Sequence, residues 1–219
     1  NLAVLSSTQQ SVDLEVGPDF VHAQGIGWII LQHMVEINRR PKIGENLTLQ
    51  TLAKEFNPFF AKRMYRILDE AGNVLVEIDA LYAMIDMERR RMARIPQEMV
   101  DAYEPERVKK IPRQPEPQHM IADIPVDVTQ EYVVRYLDID SNQHVNNSKY
   151  FDWIQDVLDH DFVKTHEPKR LNIKYEHEVL LGDTIKSEAQ TLEDATIHRI
   201  WSGDTLSAEA AIEWTDAEN

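Results

Sequence analysis

The sequence predicts an α+β fold made of two similar units in tandem, each a helix laid against an antiparallel sheet. Three features predict it. The order strand, glycine turn, strand, hairpin occurs twice along the 219 residues. A proline-rich stretch separates the two occurrences near the middle. A strongly amphipathic helix stands at the head of the second.

In the first half a helix is expected around residues 2–14, with the chain beginning inside it. Apolar-rich stretches predict a strand over 27–38 and a second over 47–52, with a turn at Gly44 between them. A hairpin is expected to turn at 69–73, where Asp69, Gly72 and Asn73 supply turn chemistry. Five of the ten prolines then fall between Pro105 and Pro125. Residues 105–125 therefore read as an extended linker between units at 1–104 and 126–219. In the second half Tyr150, Trp153, Ile154, Val157 and Leu158 recur with helical spacing, predicting a helix over 147–159. Asn146 or Asn147 offers its N-cap. Strands follow over 170–175 and 184–187 around Gly182, and a hairpin turns at 202–204. Aligning Gly44 with Gly182 sets Ile37 on Tyr175 and Val35 on Ile173. A long apolar helix cradled by such a sheet is the hotdog arrangement, so the expectation is a tandem (double) hotdog.

Composition narrows the function classes. The 42% hydrophobic content is that of an ordinary globular chain. No apolar run approaches the roughly 20 residues that span a bilayer. The first residues lack the basic region of a secretory signal. The absence of cysteine excludes disulfides, thiolate metal sites and a cysteine nucleophile, and fits a cytoplasmic protein. A net charge of −15 argues against nucleic acid and anionic membranes as partners. Against it stand three basic clusters: Arg39, Arg40 and Lys42; Arg89, Arg90, Arg91 and Arg94; Lys109, Lys110 and Arg113. They read either as solubilising strand-end charge or as a docking site for an acidic partner.

The densest concentration of chemistry is Tyr136-Leu-Asp-Ile-Asp-Ser-Asn-Gln-His-Val-Asn-Asn147. Asp138, Asp140, Asn142 and His144 occupy alternate positions, so in an extended segment they would share one face. Such a convergence is costly unless the groups are solvated, bind metal or perform chemistry. A calcium loop is excluded: Gln143 stands where glycine is required and Lys149 where the bidentate glutamate belongs. Asp138 by itself reads as structural. His22, His33, His119, His160, His166, His177 and His198 show no metal-ligand spacing and read as surface or packing residues. The tryptophans Trp28, Trp153, Trp201 and Trp214 read as core, with Trp153 a candidate for lining a tunnel.

The run Asp138-Ile-Asp-Ser-Asn-Gln-His-Val-Asn-Asn147, followed by Lys149, Tyr150 and Trp153, resembles the active-site motif of plant and bacterial acyl-acyl carrier protein (acyl-ACP) thioesterases. Lys174-Tyr-Glu-His-Glu178 resembles that family's second motif. The resemblance covers nearly the whole chain and is strongest over 130–185. It implies hydrolysis of the thioester between a fatty acyl chain and the phosphopantetheine arm of acyl carrier protein, with no cofactor. By matching position it implies Asp140, Asn142, His144 and Glu178 as catalytic residues. Plant members often carry a cysteine just after the glutamate; Val179 stands there here. The family's first strand is missing before Asn1, so the first unit is expected to be incomplete at its start.

Thioester hydrolysis needs an activated nucleophile, a stabilised oxyanion and a proton for the leaving thiolate. Asp140 could attack directly or deprotonate water, and His144 could orient water or protonate the thiolate. Asn142 and the first N–H groups of the following helix could hold the oxyanion. Glu178 could fix the imidazole tautomer or act as base. Strand alternation puts Glu178 on the face of Asn172, Lys174 and Glu176, so it reaches a site only if the strand bends near 177 or that face meets the other unit. The first half has no counterpart of this motif, and Arg40 aligns with Glu178. The second unit is therefore expected to carry the chemistry and the first an acyl pocket, with Val4, Leu5, Trp28 and Ile30 as wall candidates. Acyl carrier protein is expected to meet the second and third basic clusters. The rivals are a coenzyme A thioesterase, a hotdog hydratase and an inactive acyl-binding module. Analogy alone admits a homodimer.

Overall fold

The computed structural model describes residues 2–140 and 144–217. The chain forms two compact units, Asn1–Gln114 and Pro115–Asn219.

The first unit opens with α1 (Leu2–Asp13) and the short α2 (Pro18–Ala23). The strands are β1 (Ile26–Ile37), β2 (Thr48–Phe56), β3 (Phe60–Leu68), β4 (Val74–Asp86), β5 (Arg91–Met92) and β6 (Glu106–Arg107), with α3 (Gln97–Tyr103) before the last. Their order is β6-β2-β3-β4-β1, and β5 folds back on the end of β4. All pairings are antiparallel except the short contact of β6 with β2. The hairpin between β3 and β4 turns where Asp69 accepts the Asn73 N–H. The one between β2 and β3 turns where Asn57 Oδ1 accepts the N–H groups of Phe59 and Phe60. The helix α1 is seated by polar contacts: Tyr65 Oη donates to Ser7 Oγ, and the Arg63 guanidinium donates to Gln10 Oε1 at 2.6 Å. No side chain of α1 is fully buried, and Val4 and Leu5 are exposed. Trp28 packs beside Met84, Val16, Val21 and Met99.

The second unit holds β7 (Val128–Val133), a 3-10 turn (Tyr136–Asp138), α4 (Asn147–Asp156), α5 (His160–Thr165), β8 (His166–Tyr175), β9 (Thr184–Thr191), β10 (Ala195–Ser202) and β11 (Thr205–Asp216). The sheet order is β8-β11-β10-β9-β7, antiparallel throughout. Tyr150, Trp153 and Ile154 of α4 are buried, and Ser187 of β9 donates to the Trp153 carbonyl. The predicted helix is shorter than its apolar spacing suggested, because Asp159 caps a new helix through the N–H groups of Asp161 and Phe162. Both units end their first long strand at aligned residues, Ile37 and Tyr175. Gly44 and Gly182 follow with φ of 87° and 85°, a left-handed conformation that a side chain resists.

The proline-rich stretch is extended, and its second half is fastened along the helix-free face of the second sheet. Asn172 of β8 donates to the Pro115 carbonyl, Lys174 pairs with Glu116, and His119 meets Glu209 of β11. Gln190 of β9 accepts the Ile121 N–H and donates to the Ile121 carbonyl. With the prolines limiting its freedom beforehand, the strap is ordered at reduced entropic cost. Among the described residues no helix is long and apolar enough to cross a membrane.

Two histidines are buried rather than exposed. His198 lies at 1% exposure, Nε2 against Thr196 Oγ1, which also takes the Trp214 indole N–H. Burial lowers His198 to about 3 and His33 to about 4. Between pH 6.5 and these values the unfolded chain binds protons that the folded chain refuses, so stability is complete above pH 6.5 and lost as pH falls. Each histidine is expected to remove up to about 1.4 kcal/mol per pH unit across that window. Urea unfolding between neutral pH and about pH 5 reads this slope. A His198→Gln variant should show a shallower one; equal slopes would contradict the assignment.

Candidate active site

The motif does not run as an extended strand. Residues 136–138 turn in a 3-10 helix, and the chain then doubles back on itself. Ile139 bridges Val145, the Asp140 N–H donates to the His144 carbonyl at 2.8 Å, and the Asn146 N–H donates to the Asp138 carbonyl at 2.8 Å. Asp140 and His144 therefore stand opposite each other at the base of a loop. Asp140 Oδ1 lies 3.4 Å from the His144 backbone N. Asn142 lies outside the described residues. Asn146 then starts α4 by accepting the Ser148 N–H.

Glu178 arrives by a bend. The strand β8 stops at Tyr175, and the N–H groups of Glu176 and His177 both point to the Ser207 carbonyl. Alternation is lost there, which frees Glu178 from the face of Asn172 and Lys174. Its carboxylate Oε2 reaches 3.2 Å from His144 Nε2. A backbone bond locks the approach: the Val145 N–H donates to the Val179 carbonyl at 3.0 Å. Val179 is buried at 1% exposure, whereas the His144 and Glu178 side chains keep 19% and 35%. The pair is thus fixed from behind and open in front.

Asp138 does not join this group. It is buried at 2% exposure and accepts from the Arg135 backbone N–H and guanidinium, with Lys149 Nζ 3.9 Å away. The Arg135 hydrogen bonds hold its carboxyl below the usual carboxylate range. Asp138 therefore clamps the chain entering the loop to the helix that leaves it. Arg135 was not singled out from the sequence, although its position three residues before Asp138 is the spacing of a local side-chain cap. Among the described residues no cluster of three His, Asp or Glu could hold a metal ion.

Residues 2–103 match the acyl-ACP thioesterase N-terminal domain and residues 121–216 the acyl-ACP thioesterase C-terminal domain. The chain belongs to the acyl-ACP thioesterase family. A Lactobacillus plantarum protein described as an oleoyl thioesterase is 35% identical, with a TM-score of 0.91 over 100% of this chain and 87% of its own. An acyl-ACP thioesterase from Bacteroides thetaiotaomicron shares the tandem hotdog fold, with a TM-score of 0.81 at 18% identity over 98% and 90% of the two chains. The palmitoyl-acyl carrier protein thioesterase of Cuphea hookeriana chloroplasts is 27% identical over 69% of this chain. The chain spans about two-fifths of such a curated relative, 38% in that case.

For this acyl-ACP thioesterase family member the Asp138 clamp gives a stability prediction. An Asp138→Ala variant leaves the Arg135 guanidinium without its acceptor and loosens both ends of the loop. It should lose about 1–3 kcal/mol in urea unfolding at neutral pH. The carboxyl's folded pKa is depressed below 3.8, so this contribution is present above that value and vanishes as pH falls through the lower one. A variant as stable as the wild type at neutral pH would contradict the clamp.

Proposed function

We propose that this chain hydrolyses the thioester of fatty acyl-acyl carrier protein, releasing free fatty acid and ending chain elongation. The observation that carries the reading is the approach of His144 Nε2 to Glu178 Oε2 at 3.2 Å, in the unit that matches the family's C-terminal domain. A carboxylate on one ring nitrogen fixes the tautomer and raises the basicity of the other. His144 then takes a proton from water, which attacks the acyl carbon. The C–S bond breaks, and the imidazolium returns the proton to the departing thiolate. Asp140, across the loop base from His144, orients that water. Asn142, from its place in the motif, donates to the developing oxyanion. The first unit is assigned the pocket that measures the acyl chain. Without cysteine in the chain, no step passes through a thiol nucleophile.

The carrier-linked substrate separates this reading from its rivals. Acyl carrier protein and coenzyme A thioesters of short, medium and long acyl chains should be offered to the purified chain. Fatty acid release from the carrier-linked series, with kcat/KM at least about tenfold above the coenzyme A series, is expected. The reverse preference would make the chain a coenzyme A thioesterase. Acyl binding with no release from either series would make it a binding module.

A further inference from the structure

The first unit gathers cations at one end of its strands from two stretches of the sequence. The Ile95 N–H donates to the Pro58 carbonyl at 2.9 Å, which seats the residues after β5. The Val108 N–H donates to the Phe56 carbonyl at 2.9 Å, which seats the residues around β6. Arg91 and Arg94 on one side, and Arg107, Lys109 and Lys110 on the other, thus flank a single turn, 57–59. All five are exposed. The Arg94 guanidinium lies over the Phe59 ring, 5.7 Å from its centre, and so rests on the turn itself.

In the cluster at 39–42, Arg39 is already engaged. Arg39 donates twice to Glu45, and its guanidinium also lies 3.9 Å from Asp69. Its charge is spent within the fold. By contrast, Arg91, Arg94, Arg107, Lys109 and Lys110 form no ion pair among the described residues. On a chain of net charge −15, unspent cations on both flanks of one turn make a local attractor in a repelling field.

We infer that this end of the first unit is the docking surface for an acidic carrier protein that delivers the acyl thioester. The inference rests on the proposed function for the identity of the cargo. The surface supplies long-range steering and register, the roles in which complementary charge is most effective. Reversing the charges should weaken encounter with the carrier while leaving the chemistry of an uncharged thioester alone.

The test is fluorescence anisotropy of labelled acyl-acyl carrier protein with the full chain, run beside hydrolysis of an uncharged acyl-pantetheine ester. The variants are Arg91→Glu/Arg94→Glu and Lys109→Glu/Lys110→Glu, with Arg40→Glu/Lys42→Glu as the control pair. Each of the first two should weaken carrier binding about tenfold or more at about 0.1 M salt. The control should leave it unchanged, and acyl-pantetheine turnover should stay within about twofold in all. Carrier binding that survives both reversals, that falls equally in the control, or that is absent from the wild type overturns the surface. Should the pantetheine ester be hydrolysed while the reversals do nothing, the surface is wrong and the thioesterase reading stands. Should no thioester be hydrolysed while carrier binding still falls with the reversals, the surface stands and the thioesterase reading fails.

Discussion

The candidate site depends on one backbone hydrogen bond, from the Val145 N–H to the Val179 carbonyl. It joins two segments that are distant in sequence, a doubled-back loop and the bend after β8. On one side of it stands His144 and on the other Glu178, each a neighbour of a bonded residue. A side-chain pair held only by its own partly exposed charges would be worth little and would wander. Tied through adjacent peptide groups, with Val145 and Val179 both buried, it is positioned by the core instead. Preorganisation of this kind is what catalysis by fixed groups requires.

The two units align about their turn glycines. After β1 the first unit carries Arg40 where the second carries Glu178 after β8, and its first long strand ends in the same register. The turn glycines Gly44 and Gly182 keep the same left-handed conformation, so the two backbones correspond at this turn. The second unit also has both faces of its sheet occupied. The strap over 115–124 lies on one face and α4 on the other, which buries Ile197 and Ile200 alike at 1% exposure or less. A doubly covered sheet gives the bend after Tyr175 a rigid base.

Much of the fold was legible because strands and helices write their periods into the chain. The pattern of Tyr150, Trp153 and Ile154 gave α4, and the glycine turns gave the flanking strands. Periodicity was silent where a polar side chain decided the outcome. Asp159 ended α4 early by capping α5. Gln190 and Glu209 fixed a stretch that composition alone describes only as extended. In the site, alternation named Asp140 and His144 as partners for the wrong reason. They meet because the loop folds back, and the same turn takes Asp138 away to Arg135. Strand parity placed Glu178 on the wrong face, since parity has no meaning beyond a bend. Periodicity was equally silent on the seating of α1, which rests on Ser7 and Gln10.

The most direct measurement is the turnover number of folded Glu178→Gln beside the wild type and His144→Ala, on an acyl-pantetheine ester that needs no docking. If the pair performs the chemistry, both variants lose about a hundredfold or more in kcat at unchanged thermal stability. Wild-type turnover by a folded Glu178→Gln chain would show that the carboxylate beside His144 takes no part, and would contradict the account.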